Sequence, residues 1–525
     1  MAAKELVALA DSVGDIDTSA PLSIFEAYGK VFICNGTKKK VVDFVNVKLT
    51  SANVAADADN APHYGTILTG GTSGAKMVTD YITSMTGACV LYGKRTTDDT
   101  FESGETVTGT NSDGNAVSFA ISANEDGGAV TGGDPHWYNW TVYGGSTTYG
   151  TMPDQITLGC LWAGSALIAG DVDYPHQWCK SRAGGNVWDF NYISNDAQSP
   201  VAGGENPDTP GQVGDIVISL IPHTKDYCIV GCVNSMWYFV GNPSDGGDLL
   251  PLLDKTGILN QTAWCKDAYD NIYILTTQGL IKITAGLLET ENLTAKDYPY
   301  FIKDMSFNAS THKIVMGFDR DRNGVKIAKT TLADGTNNCW WFDLSTGGLF
   351  PETYPEECAP YSMFYYEAVD SANSGLLAGC TDGFIRISDD DAEDDDIGPS
   401  DEAIESYVTF GPVHLSREEN KEGTIESIVG ITVGGQSGGT ITDSDNITCK
   451  VWVGGSADEV VEKMNANSNP DITEIINAPG RDPGAMKRRK VRGIFAGIRI
   501  ENVTAAEKWG LERIIINGKQ SGRSK

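Results

Sequence analysis

The residues best suited to metal chemistry stand at Asp319-Arg-Asp321-Arg-Asn323-Gly324. Oxygen donors at positions one, three and five, followed by glycine, match the first half of an EF-hand calcium loop. The twelfth position is Thr330, where that loop needs a bidentate glutamate, and no helical pattern flanks it. A structural hairpin turn is therefore favoured over a calcium site at Asp319, Asp321 and Asn323. The histidines, His63, His136, His176, His223, His312 and His414, share no metal-like spacing. His176, beside Trp178, reads as filling a turn rather than acting as a general base. There is no GxSxG elbow, no HExxH pair and no phosphate-binding glycine loop followed by lysine. With 70 Asp and Glu residues, a catalytic carboxylate pair cannot be picked out by spacing. The expectation is a protein that is not an enzyme and carries no cofactor.

Two basic clusters remain. Lys38, Lys39 and Lys40 follow the Asn35-Gly36 turn, and Lys487, Arg488, Arg489, Lys490 and Arg492 form KRRKVR after a Pro-Gly turn. The bland reading makes the first a solvated tip. The second reads as a solvated edge or a complement to an acidic neighbour, including an adjacent subunit. The sharper reading puts either against a partner or against DNA. Trp137, Tyr138 and Trp140 can form a sugar-stacking platform, but core or turn cover is favoured.

These residues must be positioned by strands. The chain has 525 residues, a prior for two to four domains, and 60 glycines with few helical patterns. No apolar run is long enough to span a membrane. The N-terminal residues lack a basic region followed by an apolar core, so no secretory signal is expected. The 11 cysteines are scattered without a CxxC, which reads as buried thiols made in a reducing compartment. The formal charge of −31 argues against a protein that grips duplex phosphates with Lys and Arg. It suits plain solubility, or a surface that DNA passes without sticking.

Along the chain, residues 1–20 read as a polar arm. A hairpin follows in Leu22–Phe44, with Val31, Ile33, Val41 and Val42 on either side of Asn35-Gly36. Residues 56–146 are rich in Thr, Gly, Ser and Asp. Two look-alike stretches there, Gly65–Gly70 and Gly104–Gly109, each lead through a glycine turn to a return strand. They suggest an inserted small β module whose removal leaves the rest folded. Strand groups then recur at Thr157–Tyr192, Gly214–Asn242, Ile258–Ala285, Asp304–Leu344 and Glu357–Ile387, with starts spaced by roughly 45–60 residues, a period that fits propeller blades. In the first of these, Trp178, Trp188 and Phe190 are expected to cover a Gly-rich turn on an outer strand. Residues 389–403 are an acidic linker expected not to pack. Residues 404–525 read as a second β domain with one short helix behind the capping box Ser456–Glu459. The expected fold is all-β. A propeller of about six blades spans 21–55 and 147–388. It carries the 56–146 insertion and is followed by a β-sandwich-like C-terminal domain.

The order of these stretches resembles the tail-nozzle proteins of short-tailed bacteriophages. The likeness rests on Ala169-Gly170, Pro175 and Ser181–Gly184, then a displayed Trp237, then Gly279–Ile283 ending a unit in a GLxxI-like strand. The chain closes with Trp509-Gly-Leu-Glu-Arg513 and a basic tail, Gly522-Arg523-Ser-Lys525. The likeness covers about residues 20–50 and 155–525. The 56–146 module lies outside it and resembles small β repeats that decorate phage structural proteins. The resemblance implies a non-enzymatic virion subunit, made in the host cytoplasm. It would form a six-fold ring below the portal and adaptor and touch tail fibres or spikes. Double-stranded DNA would pass through its lumen without sequence-specific binding. A glycan-binding or glycan-cleaving propeller, and a tail-fibre or adhesin subunit, are the competing readings.

Overall fold

The computed structural model describes residue 16 and residues 21–127, 135–203, 213–287, 289–388, 392, 394–397, 401–416, 421–432, 447–475, 491–505, 507 and 509–524. Strand accounts for 47% and helix for 8%, so the chain is all-β, built from many small antiparallel sheets. It divides into two compact units, one comprising 1–332, 340–350 and 363–365, the other 333–339, 351–362 and 366–525.

Six sheets follow one another in sequence. The first holds Ser23–Ala27, Lys30–Cys34, Lys39–Asp43 and His136–Asn139. The second holds Leu158–Trp162, Ser165–Ala169, Trp178–Lys180 and Val201–Gly203; the third Val217–Pro222, Tyr227–Cys232, Met236–Val240 and Asp248–Leu253. The fourth holds Trp264–Lys266, Ile272–Thr276, Gly279–Ile283 and Thr290–Asn292, and the fifth His312–Asp319, Gly324–Thr331, Asn337–Asp343 and Leu349–Glu352. Pro360–Tyr366, Gly375–Cys380 and Ile385–Ile387 make a three-stranded sixth. Spatial order repeats chain order in each, as expected when short turns join neighbouring strands. The tightest turns need positive φ. Tyr28-Gly29 (54° and 72°) and Ala163-Gly164 (50° and 72°) are two-residue connections of the hairpin type whose twist matches the flanking strands.

Neighbouring sheets are tied by side chains that cap the backbone of the next. Ser23 Oγ accepts from Gly159 N at 3.1 Å. Trp162 Nε1 donates to Thr224 O at 2.9 Å, Ser219 Oγ to Gln261 O at 3.0 Å and Thr262 Oγ1 to Ile314 O at 2.5 Å. Each bond gives a backbone carbonyl or amide of the facing sheet a side-chain partner.

A separate six-stranded sheet is ordered Val47–Ser51, Cys89–Arg95, Lys76–Ile82, Ile67–Gly70, Thr106–Thr110, Ala116–Ala120. The look-alike hairpins are there, and their first strands pair antiparallel, Thr69 opposite Thr108. The limits differ from the expected 56–146. The sheet begins at Val47, and His136–Asn139 leaves it to pair with Lys39–Asp43. Its core is continuous with that of the first sheet: Leu49, Leu68, Met77, Leu91 and Val107 belong to one cluster with Phe32, Trp140 and Trp188. Rings carry the junction. Tyr92 stacks on Tyr138 at 4.0 Å, Tyr81 meets Trp188 at 4.4 Å, and Phe32 meets Trp140 at 4.8 Å. Trp188 is thus a core residue, not the cover of a turn. Asp43 ties the same junction. Its carboxylate accepts from the backbone N–H of Val45 and Asn46 at 3.0 Å, from Tyr138 OH at 2.8 Å and from Asn46 Nδ2 at 2.7 Å.

In the second unit, Ser406–His414, Phe495–Asn502, Thr448–Gly454 and Ile472–Ile475 form one sheet, and Val491–Gly493, Lys421–Thr432 and Leu511–Ser524 another. Ile425 and Ile428 of the second join Cys449, Val451 and Ile498 of the first in a shared core. The helix Ala457–Asn465 follows its capping signal: Ser456 Oγ accepts from Glu459 N, and Glu459 Oε2 accepts from Gly455 N. Part of the acidic stretch is also ordered. Asp394–Asp396 pairs with Asp401–Ala403, because backbone ladder bonds do not depend on the side chains they carry.

Candidate functional site

The Lys38–Lys40 triplet sits at the start of a strand, so alternate side chains turn inward. Lys40 is buried, with its Nζ 5.6 Å from the centre of the Trp137 ring. Lys39 Nζ donates to Pro153 O at 2.7 Å and lies 3.4 Å from Asp154 Oδ1. Burial lowers the Lys39 pKa, and Asp154 pulls it partly back. Lys38 is exposed. A solvated basic tip is therefore not what the triplet makes: two of its three cations serve the local fold. Of the second cluster, Lys487, Arg488, Arg489 and Lys490 lie outside the described residues. Arg492 is on the short strand Val491–Gly493, its Nε 3.6 Å from Glu422 Oε2.

The calcium candidates make a hairpin turn. Asp319 Oδ1 accepts from the backbone N–H of Asp321 and Arg322 at 3.0 and 3.3 Å. Tyr365 OH lies 3.1 Å from both oxygens of Asp321. Asn323 takes the left-handed conformation with φ of 52°, which asparagine tolerates. Asp319 thus serves the turn and Asp321 the Tyr365 hydroxyl, and no group of three or more His, Cys, Asp or Glu able to hold a metal occurs among the described residues. Trp140 and Tyr138 are buried, so Trp137, Tyr138 and Trp140 form no open platform.

The Ser181–Gly184 motif braces the second sheet. Ser181 Oγ accepts from Ala166 N at 2.9 Å, and Gly184 N donates to Gly164 O at 3.1 Å. Arg182 Nη2 contacts Asp196 Oδ2 at 2.5 Å and its Nη1 lies 4.0 Å from Asp189 Oδ2. The two acids are tuned apart. Burial raises the Asp189 pKa in spite of Arg182, while the Gln198 N–H and then Arg182 lower that of Asp196. Sequence reading had the motif but not its partners, since Asp189 and Asp196 are two among 70 acids.

Many cations are held this way. Lys30 pairs with Asp80 at 2.6 Å, Arg95 with Glu125 at 2.8 Å and Arg386 with Asp382 at 2.8 Å; Lys450 and Arg499 both pair with Glu501. A positive charge with a carboxylate already against it has little left to offer a phosphate. No helix among the described residues is long and apolar enough to cross a membrane.

No protein-family model matches the chain, and no curated protein does. Solved structures share its general character loosely. The extracellular domain of a hybrid two component system from B. thetaiotaomicron is 11% identical with a TM-score of 0.32, over 81% of this chain and 46% of that one. The extracellular domain of a one component system from the same organism is 10% identical with a TM-score of 0.21, over 70% and 51%. PorZ, a bacterial surface component of the type-IX secretion system of Porphyromonas gingivalis, is 9% identical with a TM-score of 0.23, over 90% and 59%. The chain spans about half the length of these structures. Overlaps this loose carry no argument about function.

Proposed function

We propose that this chain is a virion structural protein, a tail-nozzle subunit whose six-fold ring extends the DNA channel below the portal and adaptor of a short-tailed phage. In this reading it retains the packaged genome, then lets it out, and touches fibres or spikes at its outside. The six successive sheets are read as blades of a propeller, supported by the four-stranded order of the first five and by the bonds that link the second sheet through to the fifth.

The observation that carries the proposal is electrostatic. The net charge is −31, and the cations include many already paired with the chain's own carboxylates. A wall of that kind repels duplex DNA at short range and lets it slide, where a basic wall would hold it. The sequence resemblance around Ser181–Gly184 and Gly279–Ile283 points the same way.

Negative-stain imaging of the purified protein, alone and mixed with virion tail components, tests the reading. Six-fold rings with a central hole are expected. Monomers that never associate with tail components, and that bind immobilised glycans, would overturn it in favour of a glycan-directed propeller.

A further inference from the structure

Two cysteines from neighbouring sheets meet inside the protein. Cys160 alternates with Leu158 and Trp162 along the first strand of the second sheet, and these three side chains are buried on one face. Cys228 lies on the second strand of the third sheet, directly opposite Phe239. Cys160, Trp162, Cys228 and Phe239 share one core. The rings of Trp162 and Phe239 stack at 5.1 Å, so the cysteine beside each ring is carried toward the facing sheet. The contact is completed at the sulfurs, where the Cys228 thiol donates a hydrogen bond to Cys160.

Both are free thiols. Cys160 is 5% exposed and Cys228 0%. Burial first, and then the bond to Cys160, raises the Cys228 pKa well above that of an ordinary thiol. It therefore stays protonated and does not start a reaction with an oxidant. A thiol in that state is still a competent partner for a neighbouring sulfur that has already been oxidised. Cys232 belongs to the same core, but the Ser235 hydroxyl engages it instead.

We propose that Cys160 and Cys228 are a disulfide-forming pair, a site at which peroxide cross-links the second sheet to the third. Peroxide reaches Cys160, the less enclosed of the two. The Cys160 sulfur attacks one peroxide oxygen, the O–O bond breaks, water leaves and Cys160 carries a sulfenic acid. The Cys228 sulfur then displaces hydroxide from that sulfenic acid. Its proton leaves with the hydroxide as a second water, and the S–S bond forms. In all, two thiols give up two electrons and one peroxide is reduced to two waters. The link closes the loop from 160 to 228, and a cross-link over so long a loop restricts the unfolded chain far more than the folded one. A chain made as a dithiol in a reducing compartment thus gains stability on leaving it.

The test treats the full native chain with a few equivalents of hydrogen peroxide, alkylates it in denaturant and maps its peptides without reduction. A cross-link between the peptides holding Cys160 and Cys228 is expected, with two of the 11 thiols lost and both recovered by dithiothreitol. The oxidised chain should unfold at a higher urea concentration than the reduced one, and dithiothreitol should abolish the difference. Cys228→Ala should leave Cys160 as a sulfenic acid that dimedone labels, whereas Cys160→Ala should leave Cys228 unlabelled. Cys232→Ala should cross-link as the unsubstituted chain does. Should a core variant fail to fold, the peptide map and the urea shift of the unsubstituted chain still decide. Both thiols free after prolonged treatment overturn the pair. So does a cross-link that uses another cysteine in place of either, or a urea midpoint that oxidation does not raise.

Discussion

Asp43 is fully buried and accepts four hydrogen bonds, two from backbone and two from side chains. Removing the carboxylate strands the backbone N–H of Val45 and Asn46 and the Tyr138 hydroxyl, while Asn46 Nδ2 keeps Asp80 Oδ2 at 2.6 Å. Asp43→Ala should cost about 3–5 kcal/mol, the usual scale for breaking a buried charged network, read as a shift in the urea midpoint. A smaller loss than Tyr138→Phe would contradict this account. Two histidines make the fold sensitive to acid. His136 is buried and its pKa is held down by that burial, against the pull of Asp126 and Asp43. The His223 pKa is lowered by burial and then by Lys266, and its Nε2 accepts from Gly286 N at 2.7 Å, a role open only to the unprotonated nitrogen. The unfolded chain takes up these protons as pH falls below about 6.5, whereas the folded chain resists them. Stability should therefore be unaffected by these groups at higher pH and decline on acidification below it, by at most about 1.4 kcal/mol per pH unit for each histidine. Replacing both with Gln should flatten the urea midpoint between about pH 6.5 and 5. An unchanged slope would remove the histidines from the explanation.

At the scale of elements, the inserted sheet is not an appendage. Deletion of 56–146 takes away Tyr138 and Trp140, which fill the first sheet's core, together with the strand His136–Asn139. That truncated chain should fail to give cooperatively folding protein, and Trp140→Ala in the full chain should cost about 3–5 kcal/mol by urea denaturation. A well-folded deletion product would show that the two cores are separable after all. The sequence made the six strand groups legible because period-2 patterns and turn residues such as Ala163-Gly164 are local signals. It made the capping box legible for the same reason. The junction was not legible. The stretch before His136 is poor in large apolar residues, and nothing local says that Tyr138 will stack on Tyr92. Lys40 illustrates the same limit at a site: a run of three lysines looks like a solvated tip until the register places one of them over Trp137.

For the molecule as a whole, the balance of charge leads to a direct expectation. The protein should show no saturable binding to a short DNA duplex by fluorescence anisotropy, even at low salt where cationic contacts are strongest. Tight binding with a steep salt dependence would mean that a basic face outweighs the net charge, and the conduit reading would fail with it. The long excursion between the third and fourth strands of the first sheet has a consequence of another kind, in time rather than in energy. Lys39–Asp43 leaves the ribosome roughly ninety residues before its partner His136–Asn139. At ordinary synthesis rates of about 5–20 residues per second, that strand waits roughly 5 to 20 seconds with one edge bare. The second to sixth sheets are each completed within a far shorter stretch of chain. The order of emergence thus completes the six-stranded sheet within the excursion before the first sheet closes, and the interval before His136 appears is when the bare edge of Lys39–Asp43 is open to pairing with another copy of the chain.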